Sequence, residues 1–307
     1  MIEYVEVGLG GRKAAVRLTN VVFVTGTGKS TFLKLVYGVL SSVGKRLPKL
    51  GIEWSFYAQS GEVIYSITAT RNRVRQTIST QGEEIAFEFV PAKGAHRLIK
   101  PIDIAVTDAD VVMPEVKTKE HVSVVADEDI ERLNSLLLAA RKAFSVKAQF
   151  LGPYISPRSL VDASTKQINA LERHGRNLAA VLSNLALYNP SAYDSIRTAF
   201  RKLGFSISVG LAKPGFVGVI VSTKRGKMPL SKAPCSIKSL LAIAVALELK
   251  PDLLLIDNLD YCLTKNTAEA LAAILRQKST KVIAEIHNSE VVDWFNLPNK
   301  SVVELML

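Results

Sequence analysis

Residues 2–7 and 14–18 are short apolar or alternating runs, with Gly8, Gly10 and Gly11 between the two. A period of two predicts a pair of short strands joined by a glycine turn. A third apolar run at 21–24 predicts a buried strand. From residue 29 the period turns helical: Phe32, Leu33, Leu35, Val36, Val39, Leu40 and Val43 fall on one face, and Pro48 and Gly51 stop a helix over 29–47. Positions 52–113 predict an antiparallel meander, with strands at 52–57, 63–69, 74–79, 85–90 and 102–106 and with Gly61, Asn72 and Gly82 between several of them. Helical periodicity then covers 127–144, 164–187 and 190–203. The first of these helices opens on Asp127, Glu128 and Asp129, where carboxylates complement the helix dipole.

The last third alternates again. Strands are expected at 205–211, 216–222, 253–256, 282–286 and 302–306, with helices at 236–249 and 267–278. Strands alternating with helices predict a mainly parallel sheet covered by helices. The fold class is therefore α/β, with an N-terminal antiparallel meander, a helical middle and a mainly parallel C-terminal sheet. The corresponding segments are an N-terminal lobe at 1–115, a helical subdomain at 116–203 and a C-terminal lobe at 204–307, expected to form one composite domain. No internal repeat, low-complexity tract or long heptad run interrupts this pattern.

Candidate chemistry begins where the strand at 21–24 meets the helix at 29. The junction reads Thr25, Gly26, Thr27, Gly28, Lys29, Ser30 and Thr31. Glycines let backbone N–H groups approach phosphates, and a helix N-terminus adds positive potential. Lys29 is placed to bridge the β- and γ-phosphates of a nucleoside triphosphate, and the Ser30 hydroxyl to bind Mg²⁺. A full phosphate-loop pattern has glycine five residues before Gly28, and Phe23 stands there. A second acid is expected at the end of another strand. The run Leu253 to Ile256 ends on Asp257, read as the magnesium-ordering carboxylate, with a plain turn-forming Asp as the alternative. The next residue is Asn258, which can orient water but cannot accept its proton; Asp260 is the nearest other carboxylate.

This order of elements resembles the ABC-type ATPase heads of the SMC/RecF group, in particular their coil-less relatives. The likeness spans nearly the whole chain and rests on the phosphate loop, on Ser236 to Ala242 opening a helix, on Asp257 with Asn258, Leu259 and Asp260, and on a strand at 282–286 that leads to His287. The resemblance implies ATP and Mg²⁺ as ligands and ATPase activity (a hydrolase), with Asn258 where the catalytic Glu is usual and Asp260 as its substitute. It also implies a γ-phosphate-sensing role for His287, and nucleotide contacts from Arg12 and from Ser236 across a dimer. It implies ATP-driven association with a second copy or another head in nucleic-acid maintenance or defence. The signature segment lacks the family's glycines, and here Ser236 is expected to cap the helix and face an anion. The loop that touches magnesium in the family corresponds to Phe150 to Arg158, with Gln149 as a metal candidate and Arg158 beside it; a proline-bearing connector is the other reading. Two rival functions stay open: a nucleotide-binding switch or scaffold with little hydrolysis, and a small-molecule kinase or transferase.

Charge widens the list of partners. Thirty-nine Lys and Arg against 28 Asp and Glu leave a formal net charge of +11, which favours phosphate-bearing partners, including non-specific nucleic acid. Arg71, Arg73 and Arg75 would share one face if they lay on a strand, or else guard a sheet edge. The only two cysteines, Cys235 and Cys262, are far apart in sequence and have no metal-type spacing, so a disulfide is not expected. No signal-like or membrane-spanning run is present, and a cytoplasmic chain without membrane insertion is expected.

Overall fold

The computed structural model describes residues 1–48, 51–118, 126–163 and 167–307. In chain order the elements are β1 (Tyr4–Leu9), β2 (Arg12–Arg17), β3 (Val21–Thr27), α1 (Lys29–Leu40), β4 (Trp54–Ser60), β5 (Val63–Ala69), β6 (Val74–Thr80), β7 (Glu83–Val90), β8 (Ala95–Lys100) and β9 (Ile104–Ala105). There follow α2 (Asp127–Phe144), β10 (Ala148–Leu151), β11 (Leu160–Asp162), α3 (Leu178–Tyr188), α4 (Pro190–Lys202), β12 (Ser206–Lys213), β13 (Phe216–Thr223) and β14 (Gly226–Pro229). The chain closes with α5 (Cys235–Glu248), β15 (Leu253–Ile256), α6 (Lys265–Leu275), β16 (Lys281–Glu285) and β17 (Lys300–Met306). These elements make two compact units, one of residues 1–19, 26–147 and 303–307, the other of residues 20–25 and 148–302.

The first unit carries an eight-stranded sheet in the order β2-β1-β4-β5-β6-β7-β8-β9, antiparallel throughout. Register lines up Val7, Phe56, Ile67, Gln76, Phe87 and Leu98 across successive strands, all on the buried face. Gln76 is the polar member of that row and is fully buried. Its Oε1 accepts from the Tyr65 hydroxyl at 2.5 Å and from the Met113 N–H at 3.1 Å. Its Nε2 donates to the Ala109 and Val111 carbonyls, both at 2.8 Å. One side chain thus satisfies the backbone of segment 109–113, which passes over the sheet without a strand partner at these groups. Burial raises the Tyr65 phenol well above its ordinary pKa, so it stays a donor to Gln76.

The second unit carries β10, β15, β16 and residues 21–25 of β3, which lie side by side in that order and run parallel. Its core strands are continuous apolar runs, as a sheet covered on both faces requires. A smaller antiparallel sheet of β11, β13 and β12, with β14 on β13, belongs to the same unit, as do α3, α4, α5 and α6.

Several expectations are corrected. Helix α1 ends at Leu40, because Ser41 to Gly44 turn away and Gly44 takes φ +74°. The helix expected from 164 begins outside the described residues, and within them only Leu178–Tyr188 is helical. Over 168–177 the backbone is held by side chains instead: the Ile168 N–H donates to Asn184 Oδ1 at 2.7 Å, and Glu172 N–H to Asn177 Oδ1 at 2.8 Å. Such local bonds offer the chain an alternative to the helix ladder. The strand expected at 102–106 shrinks to the two-residue β9, and β8, which was not expected, precedes it. Arg71 and Arg73 lie in the β5–β6 turn and not on a strand, and Arg73 Nε pairs with Glu88 at 3.2 Å, so no three-arginine strand face forms.

Replacing Gln76 by Leu strands the Ala109 and Val111 carbonyls and the Met113 N–H in an apolar row. Urea denaturation should show a loss of about 3 kcal/mol or more. Tyr65→Phe should lose only about 1 kcal/mol, because Met113 still satisfies Gln76 Oε1.

Candidate functional site

Three parallel strands of the second unit end on one edge. Register pairs Ile256 with Ala284 and Ala284 with Phe23, then Glu285 with Val24. Their C-terminal ends therefore align: β3 leads into the glycine loop, β15 into Asp257, and β16 into His287. In open α/β sheets ligands bind outside the carboxyl ends of such strands.

Phe23 stands where the phosphate-loop pattern has glycine. It is fully buried on β3 and packs against Phe295 with ring centroids 5.1 Å apart. Phe23 is thus a core residue of the strand, and the turn is left to Gly26 and Gly28. Both have left-handed backbones, φ +86° and +74°. In the first unit a Cβ on Gly26 would collide with the Leu305 carbonyl, and one on Gly28 would meet Leu307 Cβ at 2.5 Å. Conformation and space each demand glycine there. Gly28 is the residue before α1, and Phe32 N–H closes the first helical bond to its carbonyl at 2.9 Å. The N–H groups of Lys29, Ser30 and Thr31 thus lie in the first turn, which carries no acidic side chain. Lys29 Nζ donates to the Gly26 carbonyl at 2.8 Å, and Thr27 Oγ1 to the Leu307 carbonyl at 3.4 Å. Arg12 is the exposed first residue of β2. Thr25 continues β3 and is partly buried.

Asp257 is buried, and its N–H donates to the Leu151 carbonyl at 3.0 Å. Its Oδ2 accepts from Arg173 Nη2 at 3.2 Å. The Arg173 guanidinium also lies over the Phe150 ring, 4.6 Å from its centroid. Asn258 follows in a left-handed conformation, φ +58°, which a short polar side chain tolerates. Asp260 is a buried acceptor. Its Oδ2 takes the N–H groups of His287 at 2.6 Å and Asn288 at 2.8 Å, and its Oδ1 is 3.4 Å from His287 Nδ1. The other ring nitrogen of His287 lies 3.5 Å from Glu285 Oε1. His287 itself is exposed, held from below by two buried carboxylates.

Gln149 is bonded elsewhere in this state: its Nε2 donates to the Leu171 carbonyl at 2.7 Å and its Oε1 accepts from the Leu171 N–H at 3.3 Å. Arg158 lies in the exposed segment after Pro157. The expectation that Ser236 caps its helix is corrected. Pro234 occupies the cap position without a side-chain bond, Cys235 begins α5, and Ser236 is its second residue. The expectation of no disulfide is overturned as well: Cys235 and Cys262 are bonded, with Cα atoms 5.6 Å apart. A helix packed on the strand that follows it runs antiparallel to that strand, so the start of α5 meets the chain leaving β15. Ser239, Ile243, Ile256 and Asp257 accordingly line one small hollow.

Arg173 and Glu285 were not singled out from sequence. Glu285 carried a signal, an acid inside the apolar run Val282 to Ile286. Arg173 carried none, since its contact with Asp257 joins positions 84 residues apart.

Among the described residues no three His, Cys, Asp or Glu side chains converge as a metal-ligand set.

No protein-family model matches the chain, and no curated protein matches it. Among solved structures it is similar to the SMC head domain from Thermotoga maritima, at 14% identity and a TM-score of 0.40, covering 96% of this chain and 92% of that one. It is also similar to an Smc head bound to the C-terminal winged-helix domain of ScpA, at 12% identity and a TM-score of 0.49 with the same coverages. A third likeness is to cbiO1 from Clostridium perfringens, part of an ABC transporter complex, at 12% identity and a TM-score of 0.40, covering 97% of this chain and 80% of that one. Among the described residues no helix is long and apolar enough to cross a membrane.

Asp260→Ala should free the His287 and Asn288 amides. Their hydrogen exchange should speed up by the equivalent of about 2–3 kcal/mol of local stability. Asp260→Asn, which keeps one acceptor oxygen, should fall between wild type and Ala.

Proposed function

We propose that the chain is an ABC-type ATPase head that binds Mg·ATP and hydrolyses it slowly. The observation that carries this reading is the strand–glycine–helix junction, in which Gly26 and Gly28 take left-handed backbones before the acid-free first turn of α1, while Asp257 and His287 follow the ends of β15 and β16 in the second unit. Residues Thr25 to Thr31 hold the triphosphate, with Lys29 on its β- and γ-oxygens. Ser30 and Asp257 would hold Mg²⁺, with Gln149 as a further candidate ligand. Mg²⁺ there would offset charge on the γ-phosphate oxygens. Arg173 balances the Asp257 carboxylate. His287 faces the γ-phosphate, and Asp260 positions it through the backbone of 287 and 288. Arg12 and Ser236 contribute further nucleotide contacts, Ser236 toward a second head. ATP-driven association with a second copy or another head is the output, in service of nucleic-acid maintenance or defence. The net charge of +11 supports a phosphate-bearing partner.

Slow hydrolysis follows from the loop after β15. Asn258 stands where a Glu would take the proton of the attacking water. Asp260 is already committed to two backbone N–H groups and to His287. The same observation favours a second reading, a nucleotide-dependent switch with no useful turnover.

Turnover of purified protein with Mg·ATP, beside Lys29→Ala, tests both. The ATPase reading expects turnover below ~1 s⁻¹, the low end of typical enzymes. It is lost in Lys29→Ala, together with at least a ~10-fold weaker ATP affinity. Tight binding without turnover carries the switch reading instead. No ATP binding at all sinks both. Light scattering with and without ATP reads the association.

A further inference from the structure

The two cysteines tie the start of α5 to the chain that follows β15. Cys235 is the first residue of α5 and is exposed; Cys262 is half-buried in the chain between β15 and α6. Their Cα separation of 5.6 Å lies in the range a disulfide spans without backbone movement. Among the described residues no cysteine is left unbridged, and the protein has only these two.

The environment suits exchange chemistry. Cys235 lies in the first turn of a 14-residue helix whose opening turn has no acid. A thiolate is both the attacking and the leaving group of disulfide exchange. Exposure lets a small thiol reach it. Cys262 has φ +92°, a region that residues with a Cβ seldom occupy. A tie to α5 holds the chain in that conformation.

The bridged segment also contains Asp260. Its neighbours are cross-tied: Tyr261 N–H bonds the Asn258 carbonyl at 3.3 Å, Leu263 N–H bonds the Asp260 carbonyl at 3.2 Å, and the Asp260 carboxylate holds the amides of His287 and Asn288. Fixing Cys262 therefore restrains the loop that places His287.

We propose that Cys235 and Cys262 form a reversible thiol–disulfide modification site that sets the rigidity of the loop after Asp257. The oxidant is a small-molecule disulfide such as oxidised glutathione. The Cys235 thiolate attacks it, forming a mixed disulfide and releasing one glutathione thiolate. The Cys262 thiolate then attacks the Cys235 sulfur and expels the second. Two protons leave the cysteines and protonate the two glutathiones, and two electrons reduce the oxidant. Reduction by excess thiol reverses both steps. Control of nucleotide turnover by this site rests on the ATPase reading; the site itself does not.

The full chain is equilibrated in oxidised or reduced glutathione, then denatured and treated with N-ethylmaleimide, and its intact mass is measured. The oxidised sample should carry no adduct and the reduced sample two. Hydrogen exchange should be about five-fold or more slower over 258–263 and at His287 and Asn288 in the oxidised form. Cys262→Ser, or reduced wild type capped with N-ethylmaleimide before the exchange, should behave as the reduced form in both buffers. ATP turnover should differ between the two wild-type forms by a similar factor and be insensitive to redox buffer in Cys262→Ser. Two adducts after oxidation, a bridge that millimolar thiol leaves intact in the folded protein, or equal exchange in the two forms would overturn the site. Redox-insensitive turnover in wild type would overturn the control. If neither form binds ATP, the ATPase reading falls while the adduct count and the exchange still decide the site.

Discussion

The parallel ladder of β15, β16 and β3 is the constraint on which the functional end of the molecule depends. Its register is set residue by residue, Leu254 to Val282 to Val21 and Ile256 to Ala284 to Phe23. Because these strands are buried on both faces, a slip by one residue would expose no polar face to correct it, but it would move Asp257 or Glu285 away from its level. Packing of Phe23 and Phe295 and the helices over the sheet hold the register. Alignment of three strand ends is thus a by-product of core formation. The chain then spends those ends on a glycine loop, an acid and a histidine.

The glycine loop shows how core and site share residues. Phe23 fills the core at a position where a longer loop would have glycine. The bend is consequently confined to Gly26 and Gly28, whose left-handed backbones lie close against Leu305 and Leu307. In the loop after Asp257, Asp260 serves as a structural acceptor for the backbone that presents His287.

The first unit solves a different problem. Its antiparallel sheet buries one face, and segment 109–113 covers part of that face, bridged to residues 43–47 but with the Ala109 and Val111 carbonyls and the Met113 N–H left to Gln76. Gln76, placed in a row of apolar side chains, satisfies that backbone from within. The buried amide therefore reads as a connector between sheet and covering segment.

Much of this was legible in the chain. Helix α2 falls on the expected residues, since eighteen consecutive residues with one apolar face outweigh local competition. The strand–glycine–helix junction at 21–31 was legible because glycine, lysine and hydroxyl residues at that spacing act through local geometry. The apolar strand ending on Asp257 was legible by the same token, because four buried residues followed by an acid are a local pattern. Tertiary structure decided the rest. Strand β10 has four residues and exists because β15 pairs with it. Residues 168–177 have helical periodicity, yet bonds from Gln149, Asn177 and Asn184 draw their backbone out of a helix. Arg173 reaches Asp257 because its turn is bonded to β10 and the residue after it, beside β15, and Cys235 reaches Cys262 because the start of α5 meets the chain leaving β15. Periodicity and spacing record what neighbours along the chain impose; which distant side chains share a contact is set by packing, and no single sequence states it.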